Sequence, residues 1–345
     1  MNTIFIGKDF QHAILEFIKD RKYSDILVIV DENTLRDCYH HLGFPSFLPK
    51  HHLVVIKSGE EEKNLRTCEQ IWLKMTEAAL DRKSLVLNLG GGVIGDMGGF
   101  CASTYKRGID FIQVPTTLLS MVDASVGGKL GIDFHRFKNH IGVFCVPAAV
   151  VISTSFLATL PLRELRSGYA EVIKHCLIAD KLKWEEIRKS EWQQLDFEQM
   201  VRHSIQIKDR ITTEDPTEKG LRKILNFGHT LGHAVESYFL ESKEKLFHGE
   251  AIAVGMICET YLSFSFGLLN EEELNQIVRY LLQVYGKPTI LPSSFSTIIA
   301  LTKQDKKNQY NEVQFALIGP LGNCSFDKVV GEKEMAKALE YYEAL

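Results

Sequence analysis

Long apolar runs are missing from this chain of 345 residues: no stretch approaches the roughly 18 consecutive apolar residues of a membrane-spanning helix. The first residues, Met1-Asn2-Thr3-Ile4-Phe5-Ile6-Gly7-Lys8, lack a basic head leading into an apolar segment and a small-residue cleavage site, so the sequence predicts a cytoplasmic protein without an export signal. Cysteine is sparse and unpaired in pattern. The seven cysteines are odd in number, scattered, and never spaced Cys-x-x-Cys, which excludes a disulfide framework and paired-cysteine zinc knuckles. Charge of one sign is also lacking. Lys and Arg number 40 against 44 Asp and Glu, a formal net charge of −4, so no overall basic field exists for a nucleic acid or an acidic membrane, and an anionic ligand must be met by a local cluster. With 45% hydrophobic and 24% charged residues, and no repeat or low-complexity tract, the chain reads as an ordinary globular protein long enough for two cores.

Two halves are expected: residues 1–160 as an α/β dinucleotide-binding domain with a mainly parallel sheet, and residues 161–345 as a mainly α-helical domain that binds metal and substrate. The first half alternates short β-branched runs with helix-like stretches. Asp25–Val30, Leu53–Ile56, Ser84–Leu89, Phe111–Val114 and Val150–Ser153 read as strands, and such alternation implies a parallel sheet covered on both faces. Open parallel sheets bind ligands beyond the carboxyl ends of their strands, and here those ends read Asp31-Glu-Asn-Thr, Lys57-Ser-Gly-Glu-Glu-Glu-Lys63, Gly90-Gly-Gly-Val-Ile-Gly-Asp96 and Pro115-Thr-Thr. The second half has longer helical segments and ends in an expected hairpin over Val313–Phe326, turning on Gly-Pro-Leu-Gly. With no linker between them, the halves are expected to share a cleft.

Gly90-Gly91-Gly92-Val93-Ile94-Gly95 satisfies Gly-x-Gly-x-x-Gly directly after a strand and before a helix. Glycines there let the backbone approach a pyrophosphate and aim amides at it. The loop follows the third of the five strands above rather than the first, and the first ends in Asp31 and Asn33, so a variant dinucleotide site split among several loops is expected. Asp96 is a candidate for the nicotinamide amide or, more plainly, a first-turn helix acid.

Within Gly220–Glu236, residues Arg222, Asn226, His229, His233 and Glu236 fall at helical spacing on one face, with Leu221, Ile224, Leu225, Leu231 and Val235 mainly on another. A solvated face would carry Lys and Glu. This one carries two histidines and an asparagine, and Gly228 and Gly232 beside it suggest close approach by another backbone or a ligand. Two imidazoles do not make a metal site; His248 of His-Gly-Glu250, and Glu171, which shares a helix face with Lys174, are the further candidates. One carboxylate, two imidazoles and an open position make a catalytic zinc pattern, and residue spacing leaves open which two of the three histidines coordinate. Basic residues recur in odd company at Lys106-Arg107-Gly108, Gly127-Gly-Lys129-Leu-Gly131, Lys138-Asn139, Lys174, Lys208, Arg222 and Asp305-Lys306-Lys307. Singly each is an ordinary surface charge; together they suit a substrate bearing phosphate and carboxylate.

Gly90–Asp96, Pro115-Thr-Thr-Leu-Leu119, Val122-Asp-Ala-Ser-Val-Gly-Gly-Lys129, Lys138-Asn139, Ala170-Glu-Val-Ile-Lys174, Leu225–Ala234 and His248-Gly-Glu250, in this order from about residue 25 to 310, closely resemble the 3-dehydroquinate synthase family of sugar-phosphate cyclases. The resemblance implies a homodimeric phosphorus–oxygen lyase using NAD and Zn2+, with Co2+ as an alternative metal, and a small sugar-phosphate substrate, 3-deoxy-D-arabino-heptulosonate 7-phosphate. It implies transient oxidation by NAD, phosphate elimination, re-reduction, ring opening and aldol closure within the shikimate pathway. By position it makes Glu171, His229 and His248 the metal ligands, and sets Asp31, Asn33, Glu60, Lys63, Gly91, Gly92, Asp96, Thr116, Thr117, Lys129 and Lys138 around NAD. Lys208 and Arg222 are to hold the substrate carboxylate. Lys129, Asn139, Asn226, His233 and one of Lys306 and Lys307 are to surround its phosphate, with Arg107 entering from the partner subunit, and Asp123 and Lys174 lie beside the hydroxyls that react. One departure is Leu130, where the family commonly has threonine after Gly-Gly-Lys. Sibling cyclases share the NAD and zinc parts without the carboxylate receptor; metal-dependent polyol dehydrogenases share the two-domain plan without the phosphate ligands.

Overall fold

The apolar runs of the first half become strands because both of their faces are covered. In this computed structural model, which describes residues 3–135, 137–240, 244–303 and 312–345, the strands are β1 (Thr3–Ile6), β2 (Ile26–Asp31), β3 (His52–Ile56), β4 (Leu85–Gly90) and β5 (Asp110–Pro115), then a hairpin, β6 (Lys129–Phe134) and β7 (Phe137–Phe144), then β8 (Ala149–Ile152). Six of them form one all-parallel sheet in the order β1-β8-β5-β4-β2-β3. Every residue of β4 and β8 is buried, as is β2 up to Asp31, and that two-sided burial is why these strands read as unbroken apolar runs rather than alternating ones. Helices α1 (Phe10–Arg21), α2 (Leu65–Glu77) and α3 (Gly92–Thr104) belong to the same compact unit, which comprises Met1–Leu165 and Phe197–Ile205. A Cβ at Gly98 would overlap the Asn88 side chain of β4, and one at Gly99 would meet Leu130, so glycine lets α3 lie directly on the sheet.

The chain order reverses beside β2. From β2 it steps outward to β3, then returns to β4 on the other side, so the connections after β2 and β4 diverge and leave a crevice at the carboxyl ends of the strands. Two elements escape the sequence reading. Strand β1 is four residues long and only partly buried, a weak signal. The β6–β7 hairpin is masked by its glycines, which look like a loop, yet a Cβ at Gly142 would overlap the Leu130 carbonyl across the pair; these glycines mark closely approaching strands.

The second unit, Arg166–Asp196 with Gln206–Leu345, is mainly helical: α4 (Leu162–Ala179) from Arg166 onward, α5 (Lys181–Ile187), α6 (Phe197–Glu214) from Gln206 onward, α7 (His229–Phe239), α8 (His248–Ser265), α9 (Glu271–Tyr285), α10 (Phe295–Thr302) and α11 (Glu332–Ala344). The expected hairpin is present as antiparallel β9 (Gln314–Ile318) and β10 (Cys324–Val329). Residues 167–178 of α4 and 249–260 of α8 are buried without interruption, which makes these two helices the core of the unit. The single helix expected over Gly220–Glu236 is not what forms. A 3-10 turn over Leu221–Asn226 ends at Phe227, and Gly228 takes φ +79° before α7 starts at His229, so Arg222 and Asn226 lie on a different element from His229, His233 and Glu236. All seven cysteines are free, and among the described residues no helix is long and apolar enough to cross a membrane.

Candidate active site

The carboxyl ends of β2, β3, β4 and β5 carry the residues expected around a dinucleotide. Gly90 closes β4, Gly91 caps α3 without any side-chain hydrogen bond, and the first-turn amides of this 13-residue helix are therefore served by no capping side chain. A Cβ on Gly91 would meet Thr117 at 3.3 Å, so the glycine loop and the β5 loop lie side by side, and the Thr116 amide donates to the Gly90 carbonyl at 3.0 Å. That bare, close-packed cradle fits a pyrophosphate. Lys63 is buried and ties the loop after β3 to α3 and β7: its Nζ donates to Asp96 Oδ2 and to Asn139 Oδ1, both at 2.6 Å. Burial pulls the Lys63 pKa down, but Asp96 and Glu60 outweigh it and hold the ammonium above its ordinary value. Lys138 reaches Glu60 at 3.9 Å, and Asp133 accepts from the Asn139 amide at 2.6 Å. Asp96 is thus an ion-pair partner in the fifth position of α3 rather than a cap. Asp31 does cap, closing a reciprocal pair of hydrogen bonds with Thr34, and Asn33 accepts from Arg36 at 3.4 Å.

In the helical unit, α4 contributes Glu171 and Lys174, α7 contributes His229 and His233, and α8 contributes His248. Glu171 is fully buried, and neither carboxylate oxygen has a hydrogen bond of good geometry; instead one oxygen lies 3.3 Å from His229 Nε2 and 3.8 Å from His248 Nε2, and the other pairs with the buried Lys174. The rings face inward for a reason. His229 Nδ1 donates to the Phe227 carbonyl at 3.0 Å and His248 Nδ1 to Glu236 Oε2 at 3.3 Å, which orients both rings with Nε2 facing Glu171. The nearest ligand atoms of His229, His233 and His248 all lie within 4.8 Å of one another.

The electrostatics ask for a cation. Burial and the Lys174 ammonium hold His229 down at about 3, so its imidazole is neutral, whereas Glu236 and Glu171 overcome burial and push His248 up to about 10. Burial raises the Glu171 pKa, but Lys174 and His229 more than reverse it and keep the carboxylate ionised. A proton on His248 is therefore answering two buried carboxylates. A divalent metal answers the same charge and displaces that proton, so these residues fit a metal ion held by a carboxylate and imidazoles.

Near this cluster in sequence, Asp215 organises the loop that leads into Arg222. Its carboxylate accepts from the amides of Lys219 at 3.0 Å, Gly220 at 2.7 Å and Arg222 at 3.1 Å, while Arg222 donates to the Pro216 carbonyl at 2.8 Å and Asn226 to Glu218 at 2.9 Å. Burial works to raise the Asp215 pKa, and those three amides overcome it and lower it. A lowered folded-state pKa stabilises above the unfolded value and is lost as pH falls through the folded one. Asp215→Asn is therefore expected to destabilise the chain near pH 7 and to converge with the parent below about pH 4. Parallel urea titrations across that range test this, and a difference that stays constant from pH 7 to 3 defeats it.

The remaining expected residues come from several elements. Lys208 of α6 and Arg222 are buried in the helical unit, Lys129 opens β6 exposed, Asp123 sits half-buried on the turn Ser120–Ala124, and Arg107 is exposed at φ +70°. Lys306 and Lys307 lie outside the described residues. Leu130 is buried against Gly99 within the apolar core, which accounts for an apolar residue there. In the sequence Glu236 stands out only as part of a polar stripe, and Asp215 and Glu218 do not stand out. Their sole signal is acid placed amid Gly and Pro ahead of Arg222.

Family models described as 3-dehydroquinate synthase N-terminal and 3-dehydroquinate synthase C-terminal match residues 53–167 and 168–308. A 3-dehydroquinate synthase of Parabacteroides distasonis is 36% identical over 343 residues, covering 98% of this chain and 97% of the relative. One of Ruminiclostridium cellulolyticum is 38% identical over 344 residues, covering 97% and 94%. Among solved structures, the 2-epi-5-epi-valiolone synthase ValA of Streptomyces hygroscopicus subsp. jinggangensis, with NAD+ and Zn2+ bound, superposes with a TM-score of 0.88 at 26% identity, covering 100% of this chain and 97% of that one.

Proposed function

The chain belongs to the 3-dehydroquinate synthase family, and we propose that it performs the reaction of that family as a cytoplasmic homodimer, converting 3-deoxy-D-arabino-heptulosonate 7-phosphate into 3-dehydroquinate and inorganic phosphate. The observation that carries the reading is the fully buried Glu171 carboxylate with two imidazole Nε2 atoms turned onto it, one turn of helix from a buried lysine. When bound, NAD accepts and returns a hydride while Zn2+, or Co2+ in its place, polarises adjacent substrate hydroxyls.

The chain's own residues do the rest. Glu171, His229 and His248 hold the metal. Lys174, already paired with Glu171, and Asp123 orient the reacting hydroxyls and relay their protons. Asp31, Asn33, Glu60, Lys63, Gly91, Gly92, Asp96, Thr116, Thr117, Lys129 and Lys138 receive NAD, with Lys63 tying the β3 loop to α3 and to Asn139. Asn139, Lys129, Asn226, His233 and one of Lys306 and Lys307 surround the phosphate, joined by Arg107 of the partner subunit. With a ketone in place, the proton on the carbon between it and the phosphate-bearing carbon is acidic enough for a phosphate oxygen to remove as the carbon–oxygen bond to phosphate breaks, so no strong protein base is assigned to elimination.

Lys208 and Arg222 receive the carboxylate, and they separate this reading from a cyclase whose substrate has none. Arg222→Ala is expected to raise KM for the sugar phosphate by roughly 10- to 100-fold, the worth of a charge-assisted hydrogen-bond pair, with KM for NAD unaltered. An unchanged substrate KM favours a sibling cyclase. The reaction itself is tested by supplying NAD, Zn2+ and the heptulosonate phosphate and following phosphate together with NADH absorbance. Stoichiometric phosphate and 3-dehydroquinate without accumulating NADH is the expected result; steady NADH growth without phosphate release overturns it in favour of a dehydrogenase.

A further inference from the structure

Helix α7, which carries His229 as its first residue, starts without a capping side chain of its own: its N-cap is Gly228, in the left-handed region at φ +79°. Its amides nevertheless have an acceptor. Glu259, three turns along α8 from His248, is fully buried, and its carboxylate accepts from the Gly228 amide at 2.6 Å through Oε2 and from the Leu231 amide at 3.1 Å through Oε1. The two amides bracket His229. A carboxylate buried at the positive end of a helix, on two amide donors, is a strong and directional tie.

Helices α7 and α8 run antiparallel, since contacts with α8 move from Glu259 back to His248 as α7 advances from Gly228 to Glu236. Glycine brings the backbones together between those points: a Cβ at Gly255 would lie 2.6 Å from the Gly232 amide nitrogen, and one at Gly232 would lie 3.1 Å from Ile252 Cα. The pair is thus pinned by a carboxylate at each end, Glu259 on the start of α7 and Glu236 on His248, with His229, His233 and His248 converging in the same helix pair. Thr260 and Ser263, the hydroxyls next along α8, turn back onto its own carbonyls at Met256 and Glu259 and contribute nothing across the pair.

We propose that Glu259 is a positioning residue that sets the register of α7 against α8 and so fixes the separation of the His229 and His248 Nε2 atoms at the metal. The inference rests on the reading that those imidazoles hold a metal. Glu259→Gln keeps the shape but offers one acceptor oxygen to two amides and turns an NH2 toward the other, so one buried amide loses its acceptor and α7 shifts.

The test uses the full chain, stripped of metal and reloaded with Co2+ for its visible d–d bands or with Zn2+ for affinity by chelator competition, beside thermal melting of the metal-free form. Glu259→Gln is expected to weaken Zn2+ binding 10- to 100-fold and to move the Co2+ bands. Leu262→Ala, a cavity in the same helix at a fully buried position, is expected to lower Tm while leaving both metal readouts as in the parent. If Glu259→Gln behaves like Leu262→Ala, with Zn2+ affinity within twofold and unmoved bands, the inference is overturned. Should the glutamine variant fail to fold, Glu259→Asp decides by the same readouts, since it keeps the charge and loses the reach. A parent chain that binds neither metal overturns the metal assignment together with this inference; a parent that binds, beside an unaffected variant, overturns the inference alone.

Discussion

His229→Ala is expected to leave a folded chain that retains NAD affinity but purifies without metal and turns over at least about a thousandfold more slowly, the several kcal/mol that a bound metal lends to catalysis. The imidazole it removes is buried, held neutral, and turned by the Phe227 carbonyl so that Nε2 meets Glu171 at 3.3 Å. Nothing else on the first turn of α7 can replace it: Thr230 Oγ1 is directed at the Gln314 carbonyl, 3.5 Å away. The residues proposed to receive NAD belong to the other compact unit, so cofactor affinity is expected to be spared. Metal analysis of the dialysed protein, with NAD binding followed by fluorescence, gives the answer, and full metal content in the variant removes His229 from the ligand set. His233→Ala supplies the contrast. His229, His233 and His248 are mutually within ligand range, while Glu171 is within 3.8 Å of His229 and His248, so a His233 variant that keeps its metal and loses substrate affinity assigns the carboxylate as third ligand.

Much of this site is legible before folding, and the limits of that legibility are physical. The parallel sheet is visible because burial on both faces leaves unbroken β-branched runs in β2, β4 and β8. Loop chemistry after β2, β3, β4 and β5 is visible for a related reason, since strand ends must carry whatever binds at the crevice. Helical periodicity misleads at Gly220–Glu236, where the spacing of Arg222, Asn226 and His229 satisfies a helix that a single left-handed Gly228 interrupts. The residues that hold the ligands in place leave the faintest trace. Glu259 is one of two acids within the buried run Gly249–Thr260, and the amides it accepts from are backbone groups, which have no sequence identity; Lys63 meets Asp96 and Asn139 across 33 and 76 residues of chain. Such ties are made by tertiary packing, and periodicity carries no information about them.

Gly249→Ala is expected to lower stability and metal affinity together by adding a single methyl group. Gly249 follows His248 at the start of α8, and a Cβ there would overlap the Ser167 carbonyl and lie 2.6 Å from Ser167 Cα, both backbone atoms of the buried helix that carries Glu171 one turn later. Neither atom can yield as a side chain tip would. The approach is also bonded, because the Gly249 amide donates to Ser167 Oγ at 2.9 Å and Arg166 donates to the buried Glu250 at 2.8 Å, while Glu250 itself accepts from the Phe247 amide at 2.9 Å to cap α8. One methyl group therefore has to prise the start of α8 off α4. Overpacking of a tight core contact costs about 1–3 kcal/mol, and the lost hydrogen bond adds about 1 kcal/mol. For a chain of this size that is a fall in Tm of several degrees. Because His248 Nε2 stands only 3.8 Å from Glu171, the same displacement separates two residues proposed to hold the metal, so metal affinity is expected to drop by at least about tenfold beyond what the stability loss alone produces. Melting curves with and without Zn2+ distinguish the two effects. A variant whose Tm falls but whose Zn2+-induced stabilisation is intact means that α8 accommodates the methyl group without moving His248, and that the α4–α8 contact serves the fold rather than the metal.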